Sequence, residues 1–431
     1  MDPFGLRHRI LIDVTATVES GFSTGIQRVV VEWSNNLSAI GKNENCFEVV
    51  PVITHRIKTG NVKLFELIPE NIRNFRSFNS APAIKLAVVI LGRVRRFDCM
   101  RRIYVSLFKN RKFTRGLFSK IAFRYYLKQK IINNSALEFN STDIYFLADS
   151  FWNSPLTIEA IDDARFHGSK IVLFAHDLIP ISNPEFFETN SVDIFKKYFL
   201  PVILEADLVL TASSFVERQI RQFTEYRGPI RKVDLGSSLI SEKTKRETFQ
   251  LKDKELSAIM IGTLEPRKNY GEILDWYEKS DLLNKLVIVG RSGWKNSEII
   301  KKIRYLEKSK KEIKWHRKAS DVEVTKFVSE ASVAICASYV EGYGLPLREF
   351  LSAGIPVVAS NIESFHELTQ VQKGLVFYFS PGDTNSLESA VREAIEQEKL
   401  PVNQIELTSW RESADQVLVS FKESKLLQCP S

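Results

Sequence analysis

Short apolar runs rich in β-branched residues recur along the chain, each followed by a polar loop and a stretch with helical periodicity. In the C-terminal half the runs are Ser257–Gly262, Leu286–Gly290, Ile313–Trp315, Ser332–Ala337, Pro356–Ser360 and Leu375–Phe379. Ser320-Asp321-Val322-Glu323 has the form of a capping box between two of them. Thr384 to Gln397 and Ser409 to Leu427 read as helices, the latter with Trp410 on its apolar side. In the N-terminal half, strands are predicted at Arg9–Val14, Cys46–Ile53, Asp143–Ala148, Ile171–Ala175 and Leu208–Ala212. Helical patterns run from Ile26 to about Leu37, Val192 to Ala206 and Phe215 to Phe223. Strands alternating with helices predict an α/β fold of parallel sheets covered on both faces. Residues 60 to 140 fit that alternation poorly and read as an insertion with its own helices. The polar, lysine-rich stretch Ser241–Glu255 reads as a linker, and 431 residues suit two domains of about 200 residues each.

One segment carries more chemistry than the rest, SVAICASYVEGYGLPLREFLSAGIPVVAS from Ser332 to Ser360. Its strand breaks at Glu341-Gly342-Tyr343-Gly344, Pro346 opens a helix, and Gly354 closes it, the expected asymmetry of helix ends. A strand, a glycine loop and a helix N-terminus hold phosphate in parallel α/β proteins, because free N–H groups and the helix dipole face the anion. Glu341 and Glu349 flank the loop eight residues apart. Carboxylates are awkward beside phosphate, so these two suit the hydroxyls of a sugar next to a diphosphate.

The spacing of Glu341 and Glu349, with GYGLP between them and GIPVVAS after, resembles the E-x7-E signature of family-4 retaining glycosyltransferases. That resemblance implies the GT-B fold, two doubly wound Rossmann-like domains facing a cleft. Its domains would be 1–243 on the acceptor side and 244–408 for the nucleotide-sugar, with a helix at 409–431 crossing back onto the first. An ordinary βαβ unit with surface glutamates is the alternative for this segment.

Other segments extend the resemblance. After the strand at 257–262 comes EPRKN, in which Arg267 and Lys268 could hold a diphosphate as its charge grows. The family usually has Gly-Arg where this chain has Gly262-Thr263, so whether Arg267 replaces that missing guanidinium stays open. HDLIP, at the end of strand 171–175, resembles the family's segment near the reacting sugar. It implies a role for His176 near the anomeric carbon, with Asp177 orienting it or capping the next turn. The loop Gly21–Gly25 with Gln27 and Arg28 resembles TGIQR of a bacterial polysaccharide branch, and Gly25 would let the backbone approach the donor or acceptor. Ser213 is a weaker match to a serine of the cleft.

Composition narrows the setting. Hydrophobic content of 44% and charged content of 26% describe a soluble globular protein. Four cysteines, Cys46, Cys99, Cys336 and Cys429, form no CxxC pair; this argues against disulfides and structural zinc and suits a reducing, cytoplasmic setting. The first residues lack the form of a signal peptide, and the longest apolar stretch, Ala83–Leu91, is too short to span a bilayer. Net charge is +8, but Arg93 to Lys130 holds thirteen Lys and Arg against Asp98 alone, a local +12 that leaves −4 elsewhere. Eight Phe and Tyr interleave these cations. Such a stretch suits an anionic membrane surface; a solvated insertion and a nucleic-acid site compete, though no nucleic-acid motif accompanies it and no nucleic acid is expected as partner.

No Asp-x-Asp occurs, so no metal and no cofactor are expected, and Arg267, Lys268 and helix N-termini would neutralise the diphosphate. The resemblance implies a retaining hexosyltransferase. Glu341 would bind sugar hydroxyls, Glu349 the ribose, and the Gly342, Tyr343, Gly344 and Leu345 backbone the same region. The branch resemblance points to GDP-mannose as donor and a lipid-linked glycan of O-antigen or capsule as acceptor, at the inner face of the plasma membrane. A dTDP-rhamnose or UDP-hexose donor, or a non-catalytic glycan-binding protein, are the alternatives.

Overall fold

The structure, a computed structural model, describes residues 8–20, 24–57, 60–67, 136–237, 256–309, 311–370, 373–397 and 408–428. Its strands are β1 (His8–Asp13), β2 (Phe47–Arg56), β3 (Val62–Glu66), β4 (Asp143–Leu147), β5 (Lys170–Ala175), β6 (Leu208–Thr211), β7 (Ile230–Lys232), β8 (Ser257–Ile261), β9 (Lys285–Val289), β10 (Glu312–His316), β11 (Val333–Cys336), β12 (Val357–Ser360) and β13 (Val376–Phe379). Two compact units hold them, residues 1–171 with 428–431 and residues 172–427. The basic aromatic stretch 93–130, the linker 241–255 and residues 21–23 of the first glycine loop lie outside the described residues.

In the first unit the strand order is β3-β2-β1-β4. β1 runs parallel to both neighbours, with Ile10 opposite Val49 and Ile144. Ile10, Leu11 and Ile12 are fully buried, as expected of a strand covered on two faces. A two-pronged contact from Arg9 to Asp143, 2.8 Å from Nε and 2.6 Å from Nη2, ties β1 to β4. Helix Gly25–Gly41 lays Val29, Val30, Trp33 and Leu37 into this core, and the Trp33 ring lies 5.7 Å from that of Phe146.

Three local readings change. β3 pairs antiparallel with β2 inside the stretch read as an insertion; its Val-Lys-Leu-Phe alternation is too short to stand out from that segment's charge. Glu19 and Ser20, read as the start of a loop, end a short helix, Thr15–Ser20, in which Asp149 accepts the Thr17 N–H at 2.5 Å. Cys46 is disulfide-bonded, against the expectation of unpaired thiols, with its partner outside the described residues; nothing in the spacing of four scattered cysteines signals that pairing.

In the second unit β5, β6 and β7 run parallel, Val172 opposite Leu208 and Val209 opposite Ile230. The other sheet has order β10-β9-β8-β11-β12-β13, parallel throughout. Counted from β8 this is 3-2-1-4-5-6, the doubly wound order whose switch point lies between the first and fourth strands. One face is packed by Ile273, Leu274, Tyr277, Ile303 and Val391, and the other by Val328, Leu347, Phe350 and Phe365. Helix Trp410–Glu423 opens on a Ser409–Glu412 capping box and rests on residues 234–236. The Gln416 amide oxygen accepts the Asp234 N–H at 2.8 Å, and a side chain at Gly236 would strike Trp410. Among the described residues no helix is long and apolar enough to cross a membrane.

Candidate active site

β8 and β11 are hydrogen-bonded neighbours, Val333 opposite Ala258, so the loops that leave their C-terminal ends emerge side by side at the switch point. After β8 the chain reaches a single 3-10 turn, Pro266–Lys268, and Asn269 then takes a left-handed conformation (φ 55°) before helix Tyr270–Lys279. The Arg267 guanidinium donates to Glu265 Oε1 at 2.6 Å, Glu341 Oε2 at 2.7 Å and the Val340 carbonyl at 2.9 Å. Lys268 Nζ donates to the other oxygen of Glu341. Ser338 Oγ donates to that same oxygen at 2.7 Å.

Glu341 is therefore 8% exposed and held by three side chains. Burial alone would raise its pKa, yet the Arg267 and Lys268 charges overcome this and hold it at about 2. Burial likewise works against the Arg267 charge, but Glu341, Glu265 and Asp177 together raise its pKa well above the ordinary value. The Asp177 carboxyl is shifted upward by desolvation, with Arg267 opposing. Its Oδ1 accepts the Ile179 N–H at 3.1 Å, which fastens the turn into helix Ile179–Ser182.

The glycine loop after Glu341 meets other backbone closely. A Cβ at Gly342 would lie 2.3 Å from the His176 carbonyl oxygen and 2.8 Å from Asp177 Cβ. Gly344 has φ +104° and precedes helix Leu345–Ser352, whose second residue is Pro346. Both positions thus exclude a side chain, one for space and one for conformation. Ser213 Oγ donates to the Gly342 carbonyl at 2.5 Å. Nearby, the Glu367 carboxylate accepts the Ser214 N–H (2.8 Å), the Ser214 hydroxyl (2.9 Å) and the Phe215 N–H (3.2 Å) at the start of helix Ser214–Phe223.

A small recess opens here, lined by Lys268, Glu341, Ser338, Tyr270, Cys336, Pro346, Leu347 and Phe365 among others. Lys268, Glu341 and the first turn of helix Leu345–Ser352 thus share one recess. Glu349, 6% exposed on that helix, does not line it. The Tyr343 hydroxyl is turned to Arg348 Nη1 at 2.9 Å, and burial pushes it up to about 12. Its side chain braces the loop, as does Arg348, whose other end reaches the Thr408 carbonyl at 3.2 Å. The His176 ring stands edge-on to Phe174 at 4.7 Å. Gly25, Gln27 and Arg28 open helix Gly25–Gly41 in the first unit. There the Gln27 amide oxygen accepts the Thr24 N–H at 3.2 Å, so this buried side chain caps its own helix.

Glu265, Ser338 and Glu367 are absent from the sequence reading. Glu265 stands inside the quoted EPRKN, but a glutamate there signals nothing until its arginine partner is seen. Among the described residues no group of His, Cys, Asp or Glu is arranged to hold a metal ion.

Residues 241–409 match the family described as glycosyl transferases group 1. The chain is similar to the serotype-specific mannosyltransferase WbdA of Escherichia coli, 27% identical over 289 residues, which cover 61% of this chain and 35% of that protein. It is also similar to O-antigen chain mannosyltransferase B of Escherichia coli, 26% identical over 252 residues, 56% of this chain and 62% of that protein. The chain thus spans about a third of the length of WbdA and less than two thirds of the other relative. Among solved structures, HepE of Anabaena in complex with UDP-glucose superposes with a TM-score of 0.56 at 14% identity, over 97% of this chain and 98% of that one. That likeness shows the fold.

Proposed function

We propose that the chain, which matches the group 1 glycosyltransferases over residues 241–409 and has the GT-B fold, transfers a hexose, with retention, from a nucleotide-sugar to a growing lipid-linked glycan. The observation that carries this reading is the recess in which Lys268, Glu341 and the N-terminus of helix Leu345–Ser352 converge. Lys268 and the positive end of that helix neutralise the diphosphate as it departs. Glu341, an acceptor held ionised, orders the sugar hydroxyls; Glu349, buried on the helix beside the recess and not lining it, is assigned to the ribose hydroxyls on the family resemblance alone. The acceptor hydroxyl attacks the anomeric carbon on the face from which the diphosphate leaves. Its C–O bond forms as the bond to phosphate breaks, and its proton passes to the departing phosphate oxygen. His176 and Asp177, whose backbone abuts Gly342, border the anomeric carbon.

Mannose as the sugar and a bacterial O-antigen glycan as the acceptor are supported by the relatives' names, whereas GDP-mannose as the donor and a capsule glycan as the other acceptor rest on the branch resemblance of EPRKN and HDLIP. The basic aromatic stretch 93–130 supports peripheral contact with the anionic inner face of the plasma membrane. Liposome flotation tests this last point: the protein should float with anionic vesicles and not with neutral ones, and equal partitioning would remove it.

Mixing the protein with GDP-mannose, dTDP-rhamnose, UDP-glucose and an acceptor glycan, and following nucleotide release, tests the donor. Release with GDP-mannose that disappears in Glu341→Ala is the expected result. Binding of every sugar-nucleotide without release would favour a glycan-binding protein, and release with another donor would replace mannose.

A further inference from the structure

Arg267 and Lys268 are adjacent in sequence and both cationic, but the turn at Pro266–Lys268 gives them different surroundings. Lys268 lines the recess and Arg267 does not. We infer that Arg267, braced by Glu265, is a positioning residue that fixes the Glu341 carboxylate for the sugar and does not hold the diphosphate. The inference rests on the reading of the recess as a nucleotide-sugar site.

Geometry carries it. Arg267 grips the loop 339–341 at three points. Its carbonyl accepts the Tyr339 N–H at 2.9 Å, and its guanidinium donates to the Val340 carbonyl and to Glu341 Oε2. The far side of the guanidinium is held by Glu265 Oε1 at 2.6 Å. Glu265 is itself 3% exposed, so the arginine is clamped between two buried carboxylates and one backbone oxygen. A planar guanidinium can serve acceptors in fixed directions in this way, which a lysine cannot. Turning it toward a phosphate would abandon Glu265 and Glu341 as buried charges without their partner, an arrangement proteins avoid. Lys268, on a flexible stem, donates to Glu341 and can leave it for a phosphate while Arg267 and Ser338 keep the carboxylate in place. The glutamate before the turn is then as much part of the site as the two cations.

Calorimetry with GDP and GDP-mannose, and with UDP and UDP-glucose as a second pair, separates the two roles. Arg267→Gln should weaken the sugar-nucleotide about tenfold or more while leaving the bare nucleotide within about twofold. Glu265→Gln, a milder change, should move the sugar-nucleotide alone in the same direction. In a Glu341→Gln background neither substitution should have further effect, because the group they position is gone. The affinity of Arg267→Gln for the sugar-nucleotide should also fall off at a higher pH on the acid side than that of the unaltered protein. Equal weakening of nucleotide and sugar-nucleotide by both substitutions would put Arg267 on the diphosphate and overturn the inference, with the donor reading intact. If the unaltered protein bound neither pair, the donor reading itself would fall.

Discussion

Ser213 Oγ donates to the carbonyl oxygen of Gly342 at 2.5 Å while accepting the Val216 N–H at 3.2 Å. One hydroxyl therefore caps helix Ser214–Phe223 and holds the glycine loop that follows Glu341. Ser213→Ala should lose the cap and leave a buried carbonyl without its donor, at about 2 kcal/mol in total. Thermal unfolding should show a fall of several degrees, with Ser213→Thr close to the unaltered protein. An unchanged midpoint for the alanine variant would mean the bond contributes nothing.

Gly342→Ala tests the loop directly. The added methyl would lie 2.3 Å from the His176 carbonyl oxygen, a backbone atom and not the end of a flexible side chain. The loop must shift by about an ångström, and displacements of that size at a reacting centre cost on the order of a hundredfold in rate. Nucleotide release should fall by that factor with little change in the far-ultraviolet spectrum. A variant of ordinary activity would show that the close approach is incidental.

The Glu341 carboxyl, held at about 2 against an ordinary 4.5, has a folded value below its unfolded one. It therefore stabilises the fold above pH 4.5, and that contribution is lost as pH falls toward 2. The difference corresponds to roughly 3 kcal/mol. Urea unfolding between pH 6 and pH 2 should show a steep acid loss that Glu341→Gln flattens. An equally steep curve in the variant would assign the loss to other groups.

Asp13 has the opposite sign. Burial pushes it up to about 7, although the Tyr145 hydroxyl at 2.5 Å and the Thr15 N–H at 2.9 Å both favour the ionised form. A folded value above the unfolded 3.8 means its contribution is complete below pH 3.8 and is lost as pH rises through 7. Amide exchange in β1 and β4, corrected for intrinsic rates, should reveal less protection at pH 8 than at pH 5. Asp13→Asn should abolish that difference; its persistence would point to another group.

The two faces of what a sequence can disclose are visible in these residues. Strands such as Leu286–Gly290 and Pro356–Ser360 announce themselves because burial on both faces demands unbroken apolar runs; the observed β9 is shifted from the first by one residue and β12 is one residue shorter than the second. Helix ends with local chemistry were equally plain: the Ser320–Glu323 capping box forms as written. Glu341 and Lys268 were legible from their setting between a strand end and a helix start. What stayed hidden were contacts across long separations. Glu265 and Glu341 converge on one guanidinium from loops seventy-odd residues apart, and no periodicity encodes that. Gln27, in the TGIQR segment, caps its own helix through Thr24, a bond that the segment's resemblance does not announce. Tyr343, inside the most informative motif, turns its hydroxyl to Arg348 and contributes bracing.

Glu367 supplies a last point. Its carboxylate accepts two N–H groups and a hydroxyl at the first turn of helix Ser214–Phe223, with Lys232 Nζ at 3.3 Å beside it. Helix starts of this kind attract phosphate without discrimination. By seating its own carboxylate there, the protein fills that helix start itself, next to the serine that holds Gly342.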